Sequence, residues 1–122
     1  MSKITKITFY ASTAILCLSM LWGGFLDASK NEMAVSGITY LGYPVYFAVI
    51  IGVAKILGVI GILQNKSRLL KSWAYAGFVF DTLGAAVSTF AAGLPFVVAL
   101  PALIAFVVVM ASFVSARKLG KV

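Results

Sequence analysis

Residues 44–63 read PVYFAVIIGVAKILGVIGIL, an apolar run that carries a single charge, Lys55. About twenty residues in an α-helix extend about 30 Å, which is the thickness of the hydrocarbon core of a lipid bilayer. Pro44 suits the first turn of a helix, because the amide hydrogen that proline lacks would have no partner there. This stretch therefore predicts a membrane-spanning helix that begins at Pro44.

Three further stretches share this length and apolar character. They are residues 7–26, 72–92 and 95–115. Pro95 begins the last of them, and Pro101 inside it predicts a kink because its nitrogen cannot donate to the carbonyl of Val97. The chain is 62% hydrophobic and 11% charged, with a mean hydropathy of +1.08, which excludes a water-soluble protein. We expect an all-α protein, a four-helix integral membrane bundle that forms a single domain over residues 1–122.

Basic residues outside the predicted spans are distributed unevenly between the connecting segments. Lys30 is the one basic residue in the first connector, residues 27–43, which is also the longest. We interpret this connector as a solvated loop, with a segment that folds over the outer mouth of the bundle as the alternative. The third connector has no basic residue. The other eight, near the termini and in the second connector, are Lys3, Lys6, Lys66, Arg68, Lys71, Arg117, Lys118 and Lys121. Because cytoplasmic segments are enriched in Lys and Arg, this pattern predicts that both termini are cytoplasmic.

Two charges, Lys55 and Asp81, lie well inside the predicted spans. Each costs about 2.5 to 3.5 kcal/mol near the middle of a membrane. The midpoint between them is residue 68, in the second connector. An antiparallel hairpin therefore places both side chains at the same depth, about 13 Å from the membrane surface at about 1.5 Å per residue. We predict that they form an intramembrane pair, which is either a structural lock or a site that responds to protons or substrate.

Small residues recur beside both charges at the three-to-four-residue spacing of one helix face. Such faces allow the backbones of two membrane helices to approach closely. The predicted packing face between the second and third spans consists of Gly52, Gly58, Gly77, Gly84, Ala85 and Ser88.

Several classes of chemistry lack the residues that they need. The chain has no His, one Cys and three acidic residues. This composition excludes a metal site built from protein ligands alone, a dithiol redox centre and a His-based catalytic triad. The net charge of +7 is explained by membrane topology and does not indicate a nucleic-acid partner. We predict no metal and no nucleic acid, and the sequence identifies no catalytic residue.

Three motifs in the middle of the chain resemble a known family. They are Leu41-Gly42-Tyr43-Pro44-x-Tyr46-Phe47, Gly52-Val53-Ala54-Lys55-x-Leu57-Gly58 and Trp73-Ala74-Tyr75-Ala76-Gly77-Phe78-x-Phe80-Asp81-x-x-Gly84-Ala85. In these motifs the chain is similar to the DoxX-like family of small four-helix membrane proteins, and the resemblance covers nearly the whole chain. It implies a multi-pass protein of the bacterial inner membrane, with Gly42, Tyr43, Pro44, Trp73 and Tyr75 as further motif residues beside Lys55 and Asp81.

The resemblance implies an accessory or anchoring subunit of a membrane redox or stress-response system, which would face a quinone and would not be catalytic on its own. Cys17 stands alone, so the chain departs from the branches of the family that carry a dithiol. A scaffold or chaperone-like protein that binds a client membrane protein is the alternative, and a homo-oligomer is compatible with either. A proton-coupled exporter is less favoured, because the first span has no acidic residue before Asp27.

Overall fold

The computed structural model describes residues 3–64 and 66–122 and is 85% helical. The helices are α1 (Lys3–Ala28), α2 (Glu32–Tyr40), α3 (Val45–Leu63), α4 (Arg68–Ala91) and α5 (Phe96–Lys118). Four of them, α1, α3, α4 and α5, are long and apolar enough to cross a membrane. The described residues contain no strand, so the expected all-α architecture with four potential membrane helices is confirmed. The helix ends differ from the predicted spans by at most four residues.

Helix α2 lies within the first connector, where the sequence analysis predicts a solvated loop. The side chain of Asn31 caps it by accepting a hydrogen bond from the backbone nitrogen of Met33 at 3.0 Å. Glu32 in the first turn has the favourable sign for a helix N-terminus. An Asn followed by an acidic residue is a helix-start signal, so this short helix could have been predicted from the sequence.

Two turns with the same pattern begin α3 and α5. Gly42 has φ of 94° and Gly93 has φ of 77°, in the left-handed region that favours glycine. In the first turn, the backbone nitrogen of Tyr43 donates to the carbonyl of Ile38 at 3.2 Å, which completes the C-terminal capping of α2. Pro44 then precedes the first residue of α3 in an extended conformation. The motif residues Gly42 and Pro44 are therefore required by the geometry of a tight helix-to-helix turn.

The four long helices form a ring in which each packs against two neighbours. Helix α1 packs against α3 and α5, and α4 packs against the same two helices. The buried centre contains Leu16, Val59, Tyr75 and Val109, which come from all four helices. Pro101 lies inside α5 without ending it. Helices α1 and α4 thus lie across the ring from each other.

A polar cluster joins three of the helices within this apolar centre. The hydroxyl of Ser112 on α5 shares hydrogen bonds with Thr13 on α1, at 2.6 Å, and with Tyr75 on α4, at 2.7 Å. Ser112 is 0% exposed and Tyr75 is 1% exposed. The motif residue Tyr75 therefore belongs to the core, where its hydroxyl bonds to Ser112.

Replacing Ser112 with alanine is expected to lower the free energy of unfolding by about 1 to 2 kcal/mol, because the buried hydroxyls of Tyr75 and Thr13 both lose their hydrogen bond to Ser112. Ser115→Ala is the matched control. Its hydroxyl is also buried but bonds to the carbonyls of Ala111 and Ser112 within its own helix. We expect a loss below about 0.5 kcal/mol for this control. Unfolding in mixed detergent micelles measures both, and equal losses would contradict a role for Ser112 between helices.

Candidate functional site: a charged groove between α3 and α4

Lys55 forms an ion pair with Asp27. The ammonium nitrogen Nζ of Lys55 lies 3.0 Å from the carboxylate oxygen Oδ2 of Asp27, and the two side chains are 20% and 11% exposed. The sequence had predicted a pair between Lys55 and Asp81. The direct partner differs because α1 extends to Ala28, which places Asp27 on a helix that packs against α3. The unbroken apolar run up to Leu26 was the signal that could have extended the first span to Asp27.

The close approach of α1 and α3 explains why Lys55 reaches α1. A methyl group added at Gly52 would lie 2.6 Å from the carbonyl oxygen of Gly24, so the two backbones meet at these glycines. A Cβ atom at Gly24 would lie 3.1 Å from the Cβ atom of Lys55. The flexible stem of Lys55 begins against α1, and its ammonium group extends to the last turn of that helix.

Gly52 and Gly58 were expected to share one packing face, but they contact different helices. Gly52 meets α1, whereas Gly58 meets the ring of Phe78 on α4, with a distance of 2.7 Å from a Cβ placed at Gly58 to Cζ of Phe78. Gly52 and Gly58 are six residues apart, so their side-chain directions on an α-helix differ by about 120°. Gly52 and Gly58 therefore admit different neighbouring helices.

The small residues of α4 also depart from the predicted close packing. A Cβ at Gly77 or Gly84 would have no heavy atom within 4 Å among the described residues outside its own helix backbone. Both glycines and Ala85 are exposed. The bulky ring of Phe78 fills the contact with α3 at Gly58 and separates the two backbones beside Gly77 and Gly84. A groove results, which we call the α3–α4 groove.

The α3–α4 groove consists of two cavities, of about 360 Å³ and about 260 Å³. Both are lined by Ile51, Lys55, Phe80 and Asp81. The larger cavity is also lined by Ala54, Gly58, Trp73, Ala74, Gly77 and Phe78. The smaller cavity is also lined by Asp27, Ile38, Leu41, Tyr43, Phe47, Gly84, Ala85 and Ser88. Lys55 and Asp81 therefore lie where the two cavities adjoin.

Asp81 lines the α3–α4 groove without a direct protein partner. Across residues 3–64 and 66–122, its carboxylate makes no hydrogen bond and no ion pair within 4.0 Å. Lys55 lines the same two cavities, so the structure brings the two predicted residues to one groove while the ammonium group bonds to Asp27. A half-buried carboxylate of this kind can accept hydrogen bonds from a bound molecule.

Residues from α2, α3, α4 and the turn before α3 line one end of the smaller cavity. Tyr43, just before α3, shares a hydrogen bond of 2.6 Å with Ser88 on α4. The ring of Tyr43 also stacks on Phe47, with ring centroids 4.6 Å apart. Ile38 and Leu41 of the α2 segment line the same end. The motif residue Tyr43 and the predicted packing residue Ser88 together hold this end of the groove.

The walls and charges of the α3–α4 groove define the molecules that it can hold. Phe80, Ile51 and Phe47 form apolar walls. Lys55 supplies a hydrogen-bond donor and Asp81 an acceptor halfway along the groove. An ammonium group has three hydrogens, and Asp27 accepts only one of the hydrogen bonds that Lys55 can make. The groove thus suits a molecule with an apolar body and a small polar head that both accepts and donates hydrogen bonds.

The comparison with protein families agrees with the motifs in the sequence. A family model, the DoxX-like family, matches residues 11–112, which include the ion pair and both cavities of the α3–α4 groove. Comparisons with curated proteins and with solved structures find no match. The match to the family covers most of the chain. The chain therefore belongs to the DoxX-like family.

Proposed function

We propose that the protein is an accessory subunit of a membrane redox or stress-response system, and that it binds a quinone in the α3–α4 groove. The observation that carries this proposal is the carboxylate of Asp81, which has no direct partner in the described residues and lines an otherwise apolar groove beside Lys55. The proposal includes a bacterial inner-membrane location with both termini cytoplasmic. The excess of basic residues near the termini and in the second connector supports that orientation.

The polar groups in the groove match the hydrogen-bonding groups of a quinone. Lys55 would donate to a carbonyl oxygen, and Asp81 would accept from a hydroxyl group of the reduced form. A bound quinone would supply two-electron redox chemistry. The apolar walls, which include Phe80 and Ile51, would contact the ring and the first part of its hydrocarbon tail.

An accessory role follows from the lack of a second redox group in the chain itself. Cys17 is the only cysteine and is buried on α1, so the chain has no dithiol to exchange electrons with a quinone. An oxidoreductase partner would therefore supply or remove the electrons. The protein's own residues would bind the quinone, orient its head and exclude water.

The test measures protection of the purified protein by a short-chain quinone. A ligand at a concentration 100 times its Kd stabilises a folded protein by about 2.7 kcal/mol, so a clear rise in Tm is expected for the wild type. Asp81→Asn should reduce this rise at least by half. Glu32→Gln is the matched control, because it removes the same charge from an exposed residue of α2 outside both cavities.

The control should retain the full rise in Tm. An absence of protection of the wild type by ubiquinone and menaquinone analogues would overturn quinone binding. Equal loss of protection in Asp81→Asn and Glu32→Gln would assign the binding to a place other than the α3–α4 groove.

A second candidate function, a scaffold for a client membrane protein, is favoured by the open small-residue face of α4. Gly77, Gly84 and Ala85 are exposed, which would allow the backbone of another helix to approach closely. A client whose abundance falls when this protein is deleted, together with no quinone protection, would favour the scaffold. Quinone protection that depends on Asp81 would favour the redox subunit.

A further inference from the structure

The smaller cavity of the α3–α4 groove contains more negative than positive charge. Its charged lining residues in the described part of the chain are Asp27, Lys55 and Asp81. The two carboxylates are two of the three acidic side chains in the whole sequence. One ammonium group balances only one of them, so a single negative charge remains when all three groups are ionised.

Lys55 is held against α1, on the side of the cavity that carries Asp27. A Cβ atom at Gly24 would lie 3.1 Å from the Cβ atom of Lys55, and one at Gly23 would lie 3.7 Å from its ammonium nitrogen Nζ. The same Nζ lies 3.0 Å from Oδ2 of Asp27. Both the stem and the charged end of Lys55 therefore lie beside α1, whereas Asp81 belongs to α4, across the ring from α1. The remaining negative charge lies at Asp81.

A negative charge at Asp81 needs a compensating partner. Asp81 lies near the middle of α4 (Arg68–Ala91), which is long and apolar enough to cross a membrane. A carboxylate at this depth is costly unless a positive charge or a proton compensates it. Within residues 3–64 and 66–122, no basic side chain forms an ion pair with it inside 4.0 Å. The compensation therefore comes from a bound cation or from a proton.

The aromatic lining of the cavity favours a cation over a proton. The rings of Tyr43 and Phe47 stack, with centroids 4.6 Å apart and planes 16° from parallel. We call this pair the aromatic wall. A hydrogen bond of 2.6 Å between the hydroxyls of Tyr43 and Ser88 ties the wall to α4. The electron-rich face of an aromatic ring attracts an ammonium group, so rings beside a carboxylate suit an organic cation. A proton on Asp81 would make no use of the rings.

The other lining residues indicate the size and character of the ligand. Ile38, Leu41 and Ile51 are apolar, and Gly84 and Ala85 occupy little volume. The cavity has a volume of about 260 Å³, just below the ~300 to 1,000 Å³ of typical ligand pockets. The ligand is therefore a small molecule with an apolar substituent beside its charge.

We infer that the smaller cavity binds a small organic cation, an ammonium group with an apolar substituent, between Asp81 and the aromatic wall. This binding goes beyond the proposed function and does not rest on it, because it follows from the charges and rings of one cavity. Quinone protection is measured with a different ligand, so the two proposals can fail independently.

The test measures binding of benzyltrimethylammonium to the purified full-length protein by isothermal titration calorimetry in a non-ionic detergent. Two ligands of similar size vary the charge, since 2-phenylethanol is neutral and benzenesulfonate is an anion. Asp81→Asn removes the carboxylate, and Glu32→Gln is its matched control outside both cavities. Phe47→Leu removes one ring of the aromatic wall. Phe96→Leu is its control, because Phe96 lines neither cavity.

We expect the wild type to bind the cation about tenfold more tightly than the neutral ligand, because only the cation is attracted by both the carboxylate and the rings. Binding of the anion should be weaker still. Asp81→Asn should lose about tenfold in affinity for the cation and Phe47→Leu about threefold. Both controls should bind as the wild type does. Phe47→Leu also serves as the test if Asp81→Asn does not fold.

Losses confined to Asp81→Asn and Phe47→Leu would support the inference. Equal losses in Asp81→Asn and Glu32→Gln would show a general effect of protein charge and would overturn it. Equal affinities of the wild type for benzyltrimethylammonium and 2-phenylethanol would also overturn it, because the cavity would then recognise apolar volume alone. An absence of cation binding at both neutral and alkaline pH would identify a proton as the partner of Asp81 and would contradict the inference.

Discussion

Replacing Gly52 with alanine is expected to lower the free energy of unfolding by about 3 kcal/mol. The added methyl group would lie 2.6 Å from the carbonyl oxygen of Gly24 and 2.9 Å from the Cα atom of Ala28. These are backbone atoms, so no side chain can rotate away to make room. Helices α1 and α3 would have to separate, and the packing between them would be lost along much of their length.

Gly84→Ala is the matched control, because it adds the same methyl group to a glycine inside a neighbouring helix. A Cβ at Gly84 meets no heavy atom within 4 Å in the described part of the chain outside its own helix backbone. Alanine there should stabilise the helix by about 0.5 to 1 kcal/mol, because it restricts the unfolded chain. Denaturation by sodium dodecyl sulfate in mixed micelles measures both variants. Similar effects of the two substitutions would contradict the close contact of α1 and α3 at Gly52.

The second large effect is expected for Asp27→Asn, which should lower the free energy of unfolding by about 2 to 3 kcal/mol. This substitution leaves the ammonium group of Lys55 mostly buried without its ion-pair partner. Loss of one partner from a fully buried pair costs about 3 to 5 kcal/mol, and the partial exposure of this pair reduces the effect. The double variant Asp27→Asn with Lys55→Met should recover most of the stability, because it removes both charges.

Asp81→Asn is the control for the identity of the pair. Asp81 makes no ion pair within the described residues, so its neutralisation should change the free energy of unfolding by less than about 1 kcal/mol. The same micelle denaturation measures all three variants. A larger loss for Asp81→Asn than for Asp27→Asn would restore the pair between Lys55 and Asp81 that the sequence predicted.

The sequence by itself determined that the protein has four helices able to span a membrane. Apolar length decides this, because each backbone polar group in a bilayer needs an internal partner and an apolar helix of about twenty residues provides it. The turns before α3 and α5 could also be predicted from their glycine and proline residues, since Gly42 and Gly93 adopt a backbone conformation that few other residues tolerate. The motifs also indicated the DoxX-like family correctly.

Only the tertiary structure decided which carboxylate contacts Lys55. The depth of a residue in the membrane follows from its position along one helix, and both Lys55 and Asp81 were placed at one depth on that basis. Direct contact also depends on the rotation of each helix about its axis and on which helices are neighbours. Gly24 and Gly52 bring α1 close to α3, and this contact favours Asp27 as the partner of Lys55.

The α3–α4 groove likewise depends on tertiary packing, which the local sequence pattern does not predict. The small residues of α4 predicted a tight interface, but the ring of Phe78 occupies the contact at Gly58 and leaves Gly77 and Gly84 facing open space. Sequence spacing identifies which residues share a helix face, whereas the volume of one side chain from the neighbouring helix decides whether that face closes. The sequence thus determined the helices and their turns, and three-dimensional packing determined the ion pair and the groove.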